Sequence, residues 1–229
     1  MDRGRGDVKP AGKGQNRGVG PKRGARGTVF VISAPSGAGK TTLCKRLLDE
    51  DRGIDFSVST TTRPPRAGER EGVDYHFVDR PEFERRREQG DFVEWALVGG
   101  HLYGTSGRSV QAAADQGHDI LLDVDTQGAM SLRRLIPEAV LIFILPPGRA
   151  ALRDRLEKRG TDGVEEIARR LGLARGEVEK CPSYDYVIVN DDLEEAYRLL
   201  RAIVTASRCS QGRQAARVEA ILREFSSDG

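Results

Sequence analysis

Residues 34–41, Ala34-Pro35-Ser36-Gly37-Ala38-Gly39-Lys40-Thr41, decide the fold class of this chain. They match the spacing of a phosphate-binding loop, with an apolar run at 29–32 before them and a predicted helix over 41–51 after them. Glycines let such a loop curl so that its N–H groups point at phosphate oxygens, and the helix adds the positive end of its dipole. Because strand, loop and helix follow one another, the run predicts a phosphate site rather than a chance glycine-rich turn.

Three side chains near this loop are suited to phosphoryl chemistry. Lys40 can reach the terminal phosphates of a nucleotide, and the Thr41 hydroxyl can join the shell of a Mg²⁺ ion. A second apolar run ends in Asp123, which places a carboxylate at the carboxyl edge of the predicted sheet. A strand that ends in Asp also suits an ordinary turn, so the interpretation depends on its pairing with the loop. Together the three residues predict a Mg²⁺-dependent nucleotide site.

Composition limits the class of protein. The chain has 229 residues, 31% of them charged, and none of its apolar runs approaches the length of a membrane span. No apolar segment follows the basic N-terminus as a secretory signal requires, so we expect a cytoplasmic protein with no membrane partner. The cysteines and histidines are too scattered for a disulfide framework or a zinc site: Cys44, Cys181, Cys209, His76, His101 and His118.

Residues 1–26 form a basic tail with eight Lys or Arg and two Asp, whereas the whole chain has a net charge of only +2. The residues from 27 onward therefore carry a net negative charge. The tail is rich in Gly and poor in large apolar residues, so we expect it to be disordered. Non-specific contact with nucleic acid is conceivable from its charge, but it has no aromatic residue for base stacking. A plain solvated extension or a misassigned start codon is the favoured interpretation.

Strands and helices alternate along the remaining chain. Apolar runs at 29–33 and 139–145 predict buried strands, and those at 120–123 and 186–189 predict two further strands. Residues 56–105 have the alternation and turn residues of a small, mostly antiparallel insert. This order predicts an α/β fold with a parallel sheet and right-handed crossovers. The predicted helices are 41–51, 81–88, 106–116, 126–134, 150–159, 164–180 and most of 193–225.

Two groups of arginines are candidates for phosphate contacts. Arg63 and Arg66 are three residues apart in a segment held by prolines, and their forked donors suit a second phosphate. A solvated charged loop explains them equally well. Helical arginines after the fourth strand could close over transferring oxygens, although for any single one a solvated helix face is the safer interpretation: Arg153, Arg155, Arg159 and Arg170.

Several motifs in sequence order resemble the guanylate kinases over residues 28–208. They are the loop 33–40, the arginine segment 58–69, Asp74-Tyr75-His76-Phe77, Phe92-Val93-Glu94-Trp95-Ala96, Tyr103-Gly104-Thr105, the segment 122–128 and Val189-Asn190-Asp191-Asp192. The resemblance implies a three-layer P-loop NTPase core, a GMP-binding insert near 56–105 and a helical lid near 155–170. It places the domain at 27–208 and leaves 209–229 as a C-terminal helical extension.

The resemblance also implies the reaction and the residues that carry it. ATP would phosphorylate GMP, and also dGMP, with Mg²⁺ held by Thr41 and, through water, by Asp123. The implied ATP-binding set is Ala34, Pro35, Ser36, Gly37, Ala38, Gly39, Lys40, Thr41, Thr42 and, near the adenine edge, Asn190. The implied GMP-binding set is Ser59, Arg63, Arg66, Glu69, Tyr75, Glu94, Tyr103, Thr105 and Asp125. The implied catalytic set is Lys40, Asp123 and the lid residues Arg155, Arg159 and Arg170.

Within the implied GMP-binding set, the division of labour follows from chemistry. Arg63, Arg66, Tyr75 and Tyr103 would hold the GMP phosphate, while Ser59, Glu94, Thr105 and Asp125 would read guanine. A carboxylate can accept from guanine N1–H and the exocyclic amine, and adenine presents the wrong pattern on that edge. The family often has serine where this chain has Thr105, and either hydroxyl can serve.

Two rival interpretations remain open at the level of sequence. A related P-loop kinase could act on another phosphorylated acceptor, but its insert would lack the pair formed by Glu94 and Thr105. A guanylate-kinase-like binding module could have lost catalysis, but such modules commonly have degraded phosphate loops, and Lys40, Thr41 and Asp123 are intact here.

Overall fold

The computed structural model describes residues 27–66, 68–158, 160 and 163–227. The basic tail expected at 1–26 lies outside the described residues. The strands are β1 Val29–Ser33, β2 Ile54–Ser57, β3 Thr60–Thr61, β4 His76–Phe77, β5 Phe92–Val98, β6 His101–Ser106, β7 Asp119–Asp123, β8 Val140–Leu145 and β9 Tyr186–Val189. The helices are α1 Lys40–Glu50, α2 Arg80–Glu88, α3 Gly107–Gln116, α4 Thr126–Leu135, α5 Arg149–Lys158, α6 Val164–Val178, α7 Leu193–Arg208 and α8 Gln211–Ser227.

Five strands form a parallel core sheet in the order β2-β7-β1-β8-β9. Its central strands are apolar along almost their whole length because both faces are covered. On one face α1 and α7 pack through residues such as Leu43 and Leu200, and on the other α4 packs through Leu132. The predicted α/β fold with a three-layer parallel core is therefore confirmed.

A second sheet, the insert sheet, has the order β4-β3-β6-β5. β6 is antiparallel to both β3 and β5, while β3 and β4 are parallel. Helix α2 covers one face through Phe83, which stacks on Phe92 at a centroid distance of 4.6 Å. The mostly antiparallel character predicted for this region agrees with that pairing.

The β-prone run at 56–62 divides between the two sheets, which the sequence pattern alone did not predict. Residues up to Ser57 pair with β7 in the core sheet, whereas Thr60 and Thr61 pair with β6 in the insert sheet. Alternating residues predict an extended chain, but they carry no information about which neighbouring strand will supply its hydrogen bonds. The chain therefore passes from the core sheet to the insert sheet within a stretch of sequence that has one uninterrupted strand pattern.

The helices that follow β8 form two further groups. α5 and α6 share a small apolar cluster of their own, built from Leu152, Leu156, Ile167, Leu171 and Ala174. The segment predicted to be largely helical over 193–225 is two helices, α7 and α8, separated by short-range turn bonds at Cys209 and Ser210. None of the described helices combines the length and apolar composition that crossing a bilayer requires.

Candidate active site

The phosphate-binding loop (residues 34–41, hereafter the P-loop) runs from the end of β1 into the first turn of α1. Gly37 and Gly39 both adopt positive φ, 93° and 95°, which side-chain-bearing residues rarely do. The Ala38 N–H donates to the Pro35 carbonyl at 3.0 Å and closes the turn. Helix α1 starts at Lys40 with no side-chain cap, so its first N–H groups remain available to an anion.

Lys40 points across the sheet edge toward β7. Its ammonium group forms an ion pair with Asp123, the last residue of that strand, whose neighbour in register on β1 is Ile32. Burial lowers the pKa of Lys40, and the nearby carboxylates of Asp125 and Glu177 oppose that shift. A terminal phosphate that entered the P-loop would offer Lys40 a second anionic partner at the same place.

The residues at this edge fit a Mg²⁺ ion of the kind that accompanies a nucleotide. Within the described ranges no three His, Cys, Asp or Glu side chains converge as a metal-binding cluster. Mg²⁺ beside phosphates needs no such cluster, because it keeps several waters and takes few protein ligands. The exposed Thr41 hydroxyl and the partly exposed Asp123 carboxylate are hard oxygen donors of that type.

The side chains expected on the ATP side differ in where they lie. Arg170 of α6 donates to the Ser36 hydroxyl at 3.2 Å and to Glu166 at 2.9 Å, so this helix touches the P-loop. Arg155 of α5 donates to the Asn190 carbonyl at 2.7 Å, and the Asn190 side-chain amide donates to the Ala38 carbonyl at 2.7 Å. Arg159, the third expected lid residue, lies outside the described residues.

Four of the residues expected at the GMP phosphate form one cluster on the insert. Arg63 is only 8% exposed, and its guanidinium donates to the Tyr103 hydroxyl at 3.1 Å and to both oxygens of Glu69 at 2.8 and 3.0 Å. The ring of Tyr75 lies edge-on to Tyr103 and 5.4 Å from the Arg63 guanidinium carbon. Arg66 contributes its backbone N–H to Glu69, and the residue itself is exposed to solvent.

Glu69 has a structural part in that cluster. Its carboxylate joins Arg63 to the backbone of Arg66 and thereby closes the loop between the two arginines. These bonds hold the pKa of Glu69 below its usual value against the opposing effect of burial. The sequence explained the segment of Arg63 and Arg66 equally well as a phosphate clamp and as a solvated loop. In the structure this segment is ordered around one buried guanidinium.

A second cluster surrounds Glu94, which is 7% exposed on β5. The Thr105 hydroxyl on the paired strand β6 donates to one carboxylate oxygen of Glu94. Burial raises the pKa of Glu94 to about 7, with the Thr105 bond opposing and the charge of Asp125 adding to the rise. Ser59, at the entrance to β3, is also buried. A buried carboxylate with one oxygen engaged is suited to accept hydrogen bonds from a planar ligand.

The cluster around Glu94 is connected to the P-loop side through the end of β7 and the residues after it. Asp123 faces Lys40, and Asp125, two residues later, caps α4 by accepting from the Gly128 N–H at 2.8 Å. Asp125 also influences the pKa of Glu94. On the other flank, Lys45 of α1 donates to Asp74 of the insert at 3.2 Å. The fold thus brings the phosphate loop and the insert to one edge of the core sheet.

Sequence reasoning missed two residues of this region. Gly128 lies so close to Glu94 that an added Cβ would be 2.8 Å from its carboxylate oxygen, and a glycine in the first turn of a helix was a signal of such an approach. Glu177 on α6 influences the pKa of Lys40 and has a raised pKa itself, chiefly from burial, then from Asp125. Its position within a charged helical segment gave no signal.

Comparisons with known proteins agree on one family. The family model described as guanylate kinase matches residues 26–207. The guanylate kinase of Alkalilimnicola ehrlichii is 49% identical over 199 residues, which cover 87% of this chain and 98% of that protein. The guanylate kinase of Neisseria meningitidis serogroup A is 52% identical over 189 residues, covering 82% and 92% respectively. The crystal structure of guanylate kinase from Anaplasma phagocytophilum matches with a TM-score of 0.71 and 38% identity, covering 82% of this chain and 90% of that one.

Proposed function

The chain belongs to the guanylate kinase family, and we propose that the two halves of its site divide the family's reaction between them. The protein is a kinase that phosphorylates GMP with ATP. In our proposal the P-loop, α5 and α6 hold ATP, while the insert sheet holds GMP. The family comparison leaves no support for an inactive binding module or for another phosphorylated acceptor.

Guanine selection would depend on the cluster around Glu94, and this is the observation that carries our assignment of the insert. Ionised Glu94 would accept from guanine N1–H and from the exocyclic amine, with Thr105, Ser59 and Asp125 completing the polar contacts. A base lacking that pair of donors would leave a buried carboxylate unsatisfied. Sites built in this way reject the wrong partner strongly, because an unpaired buried polar group costs far more than a lost exposed contact.

The GMP phosphate would be held by the cluster around Arg63. The buried guanidinium supplies a fixed positive charge, the hydroxyls of Tyr75 and Tyr103 supply donors, and exposed Arg66 supplies a second guanidinium from the rim. Glu69 positions the two arginines relative to each other. Forked guanidinium donors bind tetrahedral oxyanions with directional bonds, which suits an acceptor that must be aimed at a second phosphate.

Phosphoryl transfer from ATP to the GMP phosphate needs no general base. A phosphate monoester has its second pKa near about 6, so the attacking oxygen is already ionised at neutral pH. Catalysis is then positioning and charge stabilisation. Lys40 and the P-loop N–H groups would stabilise the transferring group, with Arg170 approaching from α6. Arg155 and Arg159 remain proposed members of that set.

A bound Mg²⁺ would neutralise charge on the ATP phosphates, and Thr41 with water-linked Asp123 would hold it. The protein's own part at this point is to keep Asp123 beside Lys40 at the end of β7. Closing α6 over the P-loop would exclude water and limit hydrolysis of ATP.

A coupled assay of ADP release tests the proposal. Purified protein receives ATP and Mg²⁺ with GMP, dGMP, AMP, UMP or dTMP in parallel. We expect turnover with GMP and dGMP and none above background with the others. Turnover with AMP equal to that with GMP would contradict the role of Glu94. The same panel run on Glu94→Gln separates base selection from phosphate binding, since the variant keeps the phosphate cluster intact.

A further inference from the structure

A phosphate-binding loop creates a hydrogen-bonding problem on its outer side. If its N–H groups point at the ligand, its carbonyls must point away from it, into the protein. Ala38 is 1% exposed, and a buried carbonyl without a partner is costly. The outer side of the P-loop therefore needs a dedicated donor from the surrounding fold.

Asn190 supplies that donor. It follows β9, and its backbone N–H continues the sheet by donating to the Leu145 carbonyl at 2.7 Å. Asn190 is only 4% exposed, and its side-chain amide donates to the Ala38 carbonyl at 2.7 Å. Only the nitrogen of an asparagine side chain can make this bond, because the acceptor is a carbonyl. The residue that follows the edge strand β9 thus supports the P-loop on the side away from the phosphate site.

Two further contacts converge on the same place. Arg155 donates to the Asn190 carbonyl at 2.7 Å, with a longer 3.4 Å contact to the Ala38 carbonyl. Gly39 leaves room for the asparagine, since an added Cβ there would lie 2.1 Å from the Asn190 amide nitrogen. The glycine that gives the P-loop its positive φ is therefore also the residue that admits its support.

We propose that Asn190 is a positioning residue for the P-loop. It fixes the Ala38 carbonyl on the outer side of the loop, so that the N–H groups on the inner side stay aimed at the phosphates of the donor nucleotide. The proposal rests on the proposed donor site and differs from the adenine contact that the family resemblance implied. An adenine contact would act on the base of the nucleotide. A support for the loop acts on the phosphates, whatever base they carry.

The substitution Asn190→Asp separates the two roles. Aspartate keeps the size of the side chain and an oxygen that can accept a hydrogen bond from the exocyclic amine of adenine. It loses the donor that Ala38 requires and sets a negative charge against a carbonyl. Asn190→Ala removes both capacities, and Asp191→Asn serves as the matched control because Asp191 is the exposed neighbour. Thermal denaturation of each variant establishes that it is folded.

The decisive measurement is calorimetric binding of magnesium tripolyphosphate, a probe with phosphates but no base, beside ATP. In each of Asn190→Asp and Asn190→Ala, we expect the affinities for tripolyphosphate and for ATP to fall by the same factor. That factor is about tenfold, because it reflects the loss of one buried hydrogen bond. Turnover with ATP and with ITP, which has an oxygen in place of the amine, should fall by equal factors. Asp191→Asn should bind and react like the wild type.

Three results would overturn the proposal. They are unchanged tripolyphosphate affinity in both variants, wild-type ATP binding by Asn190→Asp, and a selective loss of ATP relative to ITP. If Asn190→Asp does not fold, Asn190→Ala carries the test alone, since the tripolyphosphate comparison needs no second variant. Failure of the wild type to phosphorylate GMP would reject the proposed function and leave the binding test of Asn190 standing.

Discussion

In the proposed function, the P-loop and the insert would bind phosphate by different physical means. The P-loop presents backbone N–H groups, shaped by two glycines with positive φ and followed by the start of α1. The insert presents side chains, with Arg63 buried against Glu69 and Glu94 buried against Thr105. A backbone cradle is local, so eight consecutive residues contain it. A side-chain cluster collects residues from several strands, so it exists only after the sheets have formed.

The two regions are alike in how their positive charges are paired. Lys40 pairs with Asp123, and Arg63 pairs with Glu69, so each positive charge already has a partner. Buried charges demand such partners, since an unpaired one would destabilise the fold. In the proposed function, a bound phosphate would bring a second anionic partner to each of these cations. The variants below test what each region contributes.

Removing the charge of the P-loop should have the largest effect. Lys40→Ala deletes the cation that we propose lies next to the transferring phosphoryl group, and we expect kcat to fall by on the order of 10²–10³ or more. Steady-state kinetics with GMP and ATP measure it. Lys45→Ala on the same helix is the control, because its exposed pair with Asp74 contributes little. Substantial activity in Lys40→Ala would show that the loop N–H groups suffice.

On the insert, Arg66→Ala should act selectively. Its loss removes an exposed charge-assisted donor, worth about 10- to 100-fold in the KM for GMP, while the KM for ATP stays near its wild-type value. Arg70→Ala, an exposed arginine of the same segment, is the matched control. Equal changes in both KM values would argue against separate phosphate sites.

The raised pKa of Glu94 predicts a pH dependence that belongs to the insert alone. The carboxylate must be ionised to accept from guanine, so GMP affinity should rise with pH and level off above about 7, falling about tenfold per unit below that. Guanosine, which has no titrating phosphate, is the ligand to measure by calorimetry. Glu94→Gln should flatten the profile, and a guanosine profile that does not change between pH 5 and 8 would contradict the assignment.

The same shift has a consequence for stability. Because the folded pKa of Glu94 lies above the ordinary value of 4.5, the folded state favours the protonated form. This group therefore reduces the free energy of unfolding progressively as pH rises from about 4.5 to about 7, and the penalty stays constant at higher pH. Glu94→Gln should remove that part of the pH dependence in thermal denaturation.

Deleting residues 2–26 should have the smallest effect. The basic tail precedes β1 in the sequence and contains none of the residues proposed for either phosphate site, so we expect kcat and both KM values to remain within about twofold of the full chain. The comparison is best made at two salt concentrations, since a contact through charge weakens with salt. A large loss of activity would give the tail a part in catalysis that its composition does not suggest.

Much of the fold could be predicted from periodicity. Buried parallel strands are nearly continuous apolar runs, so β1, β7 and β8 were visible in the sequence. The edge strand β9 was visible as an apolar run too, although three of its four residues are exposed. The division of residues 56–62 between two sheets was not, because strand alternation does not identify the partner strand. Residues 193–225 were predicted as one largely helical segment, and the break between α7 and α8, made by turn bonds at Cys209 and Ser210, lies at the domain boundary that the family resemblance implied.

The sequence by itself determined the P-loop, the α/β order and, through several motifs in order, the family. These are properties of consecutive residues: a spacing, a period and a set of local signatures. Only the tertiary structure decided that Asn190 reaches the outer side of the P-loop, that Gly128 makes room for Glu94, and that Glu177 lies near Lys40. Those relations join residues separated by many positions along the chain. Packing creates such contacts, and no local pattern identifies the partner across that distance.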